Sequence, residues 1–206
     1  MKAYSSCKYI TASVAIGLIF TLLCGFVRFE AGCENIRGSV LRLHVLANSD
    51  SDADQALKLK VRDALLRVSA ELFASAENLE ESERIAGENL DLLRQTAERV
   101  IAENGCKDSV RVSLGRADFN TRVYENATLP AGAYDALRVV IGAGEGKNWW
   151  CVMFPPMCLP AAEKTDLSHV VEGESLEITE HGEQYEIRFK AVEIYEKIKS
   201  FFTGKA

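Results

Sequence analysis

The sequence lacks the residue patterns on which metal and acyl-transfer chemistry is usually built. Its three histidines, His44, His169 and His181, are scattered, and none of its six cysteines forms a C-x-x-C pair. A structural zinc site therefore has no ligand spacing to rest on. Neither H-E-x-x-H nor G-x-S-x-G occurs, which removes the common signatures of zinc proteases and serine hydrolases. There is no run of five basic residues, and the formal net charge is −6. Nucleic-acid binding needs a clustered basic surface and is excluded on these grounds. A polybasic membrane patch is missing for the same reason.

What the chain does hold begins at its N-terminus. Lys2 and Lys8 precede "YITASVAIGLIFTLLCGFV", residues 9–27, with no charge until Arg28. As a helix rising about 1.5 Å per residue, this run nearly spans a bilayer's hydrocarbon core. It has no polar face, so a soluble core helix is the poorer reading. It exceeds the usual apolar region of a cleavable signal peptide, and no A-x-A site follows it. "FEAGC", ending at Cys33, hints at a lipoprotein box, but Glu30 stands where an aliphatic residue belongs. Export or anchoring is the inference, and the preceding lysines place the remainder outside the cytoplasm. There disulfides persist, and Cys33, Cys106, Cys151 and Cys158 remain once Cys7 and Cys24 are assigned to the targeting segment.

Beyond a short linker, "SVLRLHVLAN" alternates Leu41, Leu43 and Val45 on one face and predicts a strand. It ends at "NSDSDAD", where Asn48, Ser49 or Asp50 suits a helix cap. Leu57, Val61, Leu65, Val68 and Leu72 then recur at helical spacing. A second helix runs from Leu79 through Ile85, Leu90, Leu93, Ala97, Val100 and Ile101 to a C-cap at Asn104–Gly105. From Val110 the period falls to two: "DSVRVSLG", "FNTRVYE", "AYDALRVVIG" and "NWWCVMF" predict strands. Residues 161–174 read as an acidic loop, and "SLEITEHGEQYEIRF" as a hairpin turning at His181–Gly182. A last amphipathic helix carries Ala191, Ile194, Tyr195, Ile198 and Phe202. The expected fold is α+β, a mostly antiparallel sheet with two long helices on one face, plus the C-terminal hairpin and helix. Its expected divisions are residues 1–33 (signal or anchor), 34–160 (core) and 161–206 (appended or packed tail).

"GAGEGKNWWCVMFPPMC", Gly142 to Cys158, is the stretch most suggestive of chemistry. Yet Gly142 and Gly146 enclose three residues where a Walker loop needs four, Asn148 replaces its Ser or Thr, and a strand follows where phosphate needs a helix. The glycines are better read as a connection between strands. Cys151 has no local histidine or helix N-terminus to form a thiolate, so a buried or bridged cysteine, with Cys158 as partner, is favoured over a nucleophile aided by His44 or His169. "DSDAD", Asp50 to Asp54, opens like a calcium loop but continues with Gln55 for Gly and Val61 for Glu. Capping accounts for those acids, and no carboxylate pair is nominated for catalysis. Trp149 and Trp150 must point to opposite faces of their strand, one into the core and one toward a partner or the tail.

Taken together, "LRLHVLANSDSDADQALKLKVRDAL" (41–65), "LPAGAYDALRVVIGAGEGKNWWCVMFPPMC" (129–158) and the uncharged N-terminal run closely resemble the stage II sporulation protein R family of endospore-forming Firmicutes. The similarity covers roughly residues 38–160. It implies an exported signalling protein and no enzyme, made in the forespore and acting in the intermembrane space. Its implied partner is a membrane-embedded aspartic protease, stage II sporulation protein GA, which removes the pro-sequence of sigma-E in the mother cell. No cofactor, metal, nucleic acid or small-molecule substrate is expected. Candidate contacts with the protease, from the local arguments, are Asn48, Ser49, Asp50, Asn148, Trp149 and Trp150. The competing expectation is an exported thiol-dependent hydrolase centred on Cys151 with His44.

Overall fold

The computed structural model describes residues 2–124, 127–157 and 167–203. Strand β1 (Leu41–Leu46) is buried along its whole length. Leucine and valine at alternate positions serve one face, while Arg42 and His44 occupy the other, and both faces are covered by helices. The sheet is mixed, in the order β2 (Val110–Phe119), β5 (Gly132–Ile141), β1 and β6 (Asn148–Phe154). β5 and β1 run parallel, whereas β2 pairs β5 and β6 pairs β1 in antiparallel fashion. A small ribbon of β3 (Arg122–Val123) and β4 (Thr128–Leu129) hangs below. The chain is thus α+β, and two of the three pairings in its main sheet are antiparallel.

Three helices cover the first face: α2 (Asp52–Leu72), α3 (Leu79–Glu88) and α4 (Leu90–Glu103). Leu57, Val61 and Leu65 of α2 meet Leu41, Leu43 and Val45 of β1, and Leu93, Ala97 and Ile101 of α4 complete this core. Asn78 starts α3 by accepting the Glu81 amide at 2.9 Å. The helix expected over 79–103 is broken at Asn89, whose side chain donates back to the Ile85 carbonyl. Gly105, at φ 71°, ends α4 in the left-handed conformation that a side chain would disfavour.

The second face departs further from expectation. α1 (Lys2–Arg37) does not stop at a linker after the apolar run but continues unbroken to the sheet. Its last turns bury Phe29, Cys33 and Ile36 against Tyr134, Ala136 and Val152. Arg37, itself buried, pairs with Glu30 and Glu34 on the same helix and donates to the Ala131 carbonyl at 2.8 Å. The expected hairpin over 175–189 is helical instead: α5 (Glu174–Glu180), a tight turn over Gly182–Tyr185 and α6 (Glu186–Thr203). Ser175, Ile178 and Thr179 recur at helical spacing, and burying them together on α1 outweighs the alternation that resembles a strand. Gly32 of α1 is what admits Ile178, because a Cβ there would press on the Ile178 Cδ1. His181–Gly182 closes a helix and makes no hairpin turn. α6 docks through Phe189 and Val192. The acidic loop lies outside the described residues over 161–166, and Leu167 and Val171 beyond it are buried.

At the centre of this second core sits Arg42, fully buried. It donates from Nε to the Cys151 carbonyl (3.1 Å) and from Nη2 to the Tyr124 hydroxyl (2.7 Å), with the ring of Phe119 4.1 Å away and that of Tyr134 4.7 Å away. Aromatic faces substitute for a carboxylate here, an attraction worth about 2 kcal/mol when desolvated.

Because Phe29 belongs to the core and not to a linker, Phe29→Ala is expected to lower the unfolding free energy by about 3–5 kcal/mol. Urea unfolding of the full chain in mild detergent measures this. Truncating a linker residue would change the unfolding free energy by no more than about 0.5 kcal/mol.

Candidate functional site: two loops in one clasp

The two sequence blocks that stand out, around residues 48–55 and 142–150, meet at one end of the sheet. β1 and β5 run parallel and finish side by side, so the loop leading to α2 lies against the loop joining β5 to β6. Asn48 bridges them, its Oδ1 accepting the Ala143 amide at 3.0 Å while its Nδ2 donates to Asp54 at 3.0 Å. Asp50 accepts the Lys147 amide at 2.6 Å. Main chain adds two more ties, Glu145 N–H to the Asn48 carbonyl and Gly146 N–H to the Ala47 carbonyl. The glycines allow this approach: Gly142 and Gly144 have φ of 57° and 72°, and a Cβ on Gly146 would overlap the Ser49 carbonyl.

Two of the three acids of "DSDAD", Asp50 and Asp54, are consumed by the same clasp. Asp54 receives Ser49 Oγ at 2.6 Å as well as Asn48, and these hydrogen bonds hold its carboxyl below the ordinary aspartate range. The N-cap of α2 is Ser51, one position beyond the expected candidates, with Oγ accepting the Asp54 amide at 3.2 Å. No group of three or more His, Cys, Asp or Glu is placed to hold a metal among the described residues.

Sequence reasoning missed Lys58. It lies in the apolar stripe of α2, almost completely buried, with Nζ donating to the Lys147 carbonyl (2.8 Å) and to Gln55 (2.6 Å). Burial lowers its pKa. A lysine adjacent to Leu57 in that stripe is the signal that reveals it, because a position so deep requires a polar partner.

Around the clasp the tryptophans take opposite faces, and neither stands free. The Trp149 ring lies 4.2 Å beneath the Arg62 guanidinium on the α2 side. Trp150 stacks on His44 at 3.8 Å and meets Phe119 edge-on. Both remain half-exposed, next to an exposed Asn148 whose Oδ1 lies 3.1 Å from His44 Nε2. Asn48, Ser49, Asp50 and Asn148 are thus gathered at one end of the sheet, with Trp149 and Trp150 on either side of the β6 edge next to them.

The thiol-hydrolase arrangement is absent from this geometry. Cys151 is buried and disulfide-bonded, while Cys158, the partner considered from sequence, lies outside the described residues. Cys151 sits opposite Leu43 on β1, and His44 sits opposite Trp150, so the two side chains point to different faces of the sheet. Cysteine and histidine cannot form a dyad through it. His169, the other histidine considered, lies beyond β6 on a short turn over Leu167–His169.

Against known proteins, the family model described as stage II sporulation protein R matches residues 37–164. The chain belongs to this family. A stage II sporulation protein R from Bacillus subtilis (strain 168) is 37% identical over 123 residues, which are 60% of this chain and 55% of that protein. The chain thus spans little more than half the length of this curated relative. No solved structure matches. The family match takes in β1 to β6 with the whole clasp, while nearly all of α1 and all of α5 and α6 lie outside it.

Two outcomes follow from the clasp. Gly146→Ala is expected to cost about 1–3 kcal/mol, since backbone must move to relieve the overlap. Gly115→Ala, which meets nothing within 4 Å, is the control expected to leave the melting temperature nearly unchanged. The second outcome concerns His44, whose pKa is lowered chiefly by burial and further by the nearby Arg138 charge, against the hydrogen bond to Asn148. A depressed folded pKa means that the unfolded chain binds the proton more readily. Stability is then full above the unfolded value of about 6.5 and is lost as pH falls toward the folded value. The melting temperature should drop between pH 7 and pH 5 in the native chain and drop less in His44→Gln.

Proposed function

We propose that the chain is an exported signalling protein of sporulation, not an enzyme. On this reading it leaves the forespore, acts in the intermembrane space and activates the membrane-embedded aspartic protease, stage II sporulation protein GA. That protease would then process pro-sigma-E in the mother cell. Membership of the family supports the sporulation role, and the long apolar N-terminal helix fits export or anchoring.

The observation that carries the proposal to a surface is the clasp. Two blocks nearly ninety positions apart in the chain meet at one sheet edge, which carries a partly exposed tryptophan on each face and polar groups between them. Partly buried tryptophan beside exposed polar groups is the composition of a protein-binding hot spot, where a few residues carry most of the energy. Cys151 and His44 lie on different faces of the sheet, and the Asp54 carboxylate beside Ser49 is held in the clasp by Asn48 as well, which favours recognition over turnover.

A signalling protein of this kind acts by binding the active arrangement of its protease more tightly than the inactive one. A preference of about 1.4 kcal/mol gives a tenfold shift in population. Cleavage of pro-sigma-E by the reconstituted protease should therefore depend on this chain. Asn148→Ala and Trp149→Ala should each lower that dependence about tenfold, while Leu92→Ala on the remote α4 leaves it intact. Circular dichroism melting separates lost contact from lost fold. If cleavage proceeds equally well without the chain, the signalling role fails. If it needs the chain but tolerates both substitutions in folded protein, the surface is elsewhere.

A further inference from the structure

α6 is apolar on two sides, and only one of them is used. At about 100° per residue, Phe189 and Val192 fall on the side that enters the core. Ile187, Ile194, Ile198, Phe201 and Phe202 fall within an arc of about 100° on the opposite side. Those five side chains are between 52% and 87% exposed. This is the exposure of the apolar side chains along the upper part of α1, which range from 57% to 73%. Among the described residues, the only other large apolar side chain so exposed is Val123, with Leu92 and Tyr195 less exposed.

The contacts between α6 and α1 show which way the unused stripe faces. Phe29 of α1 packs on Phe189, on the inner side of α6, with ring centroids 5.4 Å apart. One turn nearer the apolar span, Phe26 meets Tyr195 at 5.9 Å, on the flank of α6. Climbing α1 toward its apolar run thus moves around α6 from its inner face to its flank. The next step in that direction is the exposed stripe. α1 is itself long and apolar enough to cross a membrane, and it is uncharged from residue 9 to residue 27.

Charge is arranged to match. Helical spacing sets Arg188 and Lys199 along one border of the stripe and Lys190 and Lys197 along the other. The acids Glu193 and Glu196 lie on the inner side, where they are largely covered and pair with Lys190 at 3.0 Å and Lys199 at 3.2 Å. Arg188 stacks over Phe29 and Tyr185, and Lys199 lies 5.6 Å from the Tyr195 ring. An apolar stripe bordered on both sides by basic residues is the pattern of a helix lying in a bilayer interface, with its cations reaching for headgroups.

We infer that α6 lies along the surface of the membrane that α1 enters, with Ile187, Ile194, Ile198, Phe201 and Phe202 immersed in its outer leaflet. The folded domain is then held to the lipid at two places, the span of α1 and the stripe of α6. This docking is independent of the protease-activating role and stands or fails separately from it.

The full chain reconstituted in vesicles of phosphatidylethanolamine and phosphatidylglycerol, loaded with a lipid-dissolved photoactivatable carbene reagent, gives the test. Adducts mapped by mass spectrometry should appear in peptides from residues 9–27 and also on Ile198, Phe201 and Phe202. The double variant Phe201→Glu, Phe202→Glu, which alters only exposed positions, should reduce α6 labelling at least fivefold and leave α1 labelling unchanged. Tenfold dilution of protein in lipid should not alter the native pattern. Adducts confined to α1 would overturn the inference. So would α6 labelling that appears only on dilution, because a second copy of the chain would then be covering the stripe.

Discussion

Everything in this fold answers to the burial of β1 on both faces. A strand with six consecutive buried residues cannot be satisfied by one layer of helix. Leu41, Leu43 and Val45 draw α2, α3 and α4 to one side. Arg42 and His44 need cover just as much, and polar cover is harder to provide, because a buried guanidinium without partners is costly. The second layer meets that need with rings and carbonyls: Phe119 and Tyr134 beside Arg42, Trp150 over His44, and the Cys151 carbonyl for the guanidinium. Closing the layer takes the foot of α1 together with α5 and α6. The foot of the N-terminal helix is part of the second core for this reason.

Much of the first layer was legible in the residues, because helices and strands there have one wet face and one dry face. The heptad-like recurrence of Leu57, Val61 and Leu65 and the alternation of Val110, Val112 and Leu114 are direct records of that asymmetry. The second layer was less legible. Residues 28–37 carry Arg28, Glu30, Glu34 and Arg37, a composition that reads as a polar linker. Their charges are instead paired along and across the helix while Phe29, Cys33 and Ile36 turn inward. Residues 175–189 alternate well enough to pass for a hairpin, and only the presence of α1 as a surface to pack on decides for a helix. Local pattern loses to tertiary packing at these two places.

The candidate site was legible in its parts but not in its assembly. A glycine-rich loop next to a lysine invites a phosphate, and a run of acids invites a cation. Each is spent within the clasp instead: residues 47–50 accept hydrogen bonds from main-chain N–H groups of residues 143–147, while Asn48 and Ser49 donate to Asp54 within their own loop. No spacing rule within either segment predicts this, because it arises from two parallel strands ending together. The buried Lys58, bonded to the Lys147 carbonyl, secures the clasp from beneath. What such a clasp provides is rigidity, and on the proposed reading a rigid edge would present Trp149, Trp150 and Asn148 to a partner without the entropic cost of ordering loops on contact.

α1 runs without a break from the start of its apolar stretch to Arg37, and its foot is bolted into the sheet. It has no proline in between. A helix of this kind is a lever. On the proposed reading that its upper turns enter a bilayer, the sheet would share whatever tilt they adopt, and the clasp at the end of β1 would swing by the same angle. Hydrophobic thickness, through the tilt that mismatch imposes, then becomes a quantity the domain's orientation depends on. A change in the surrounding lipid would turn the tryptophan patch toward or away from its surroundings without altering a single contact inside the fold.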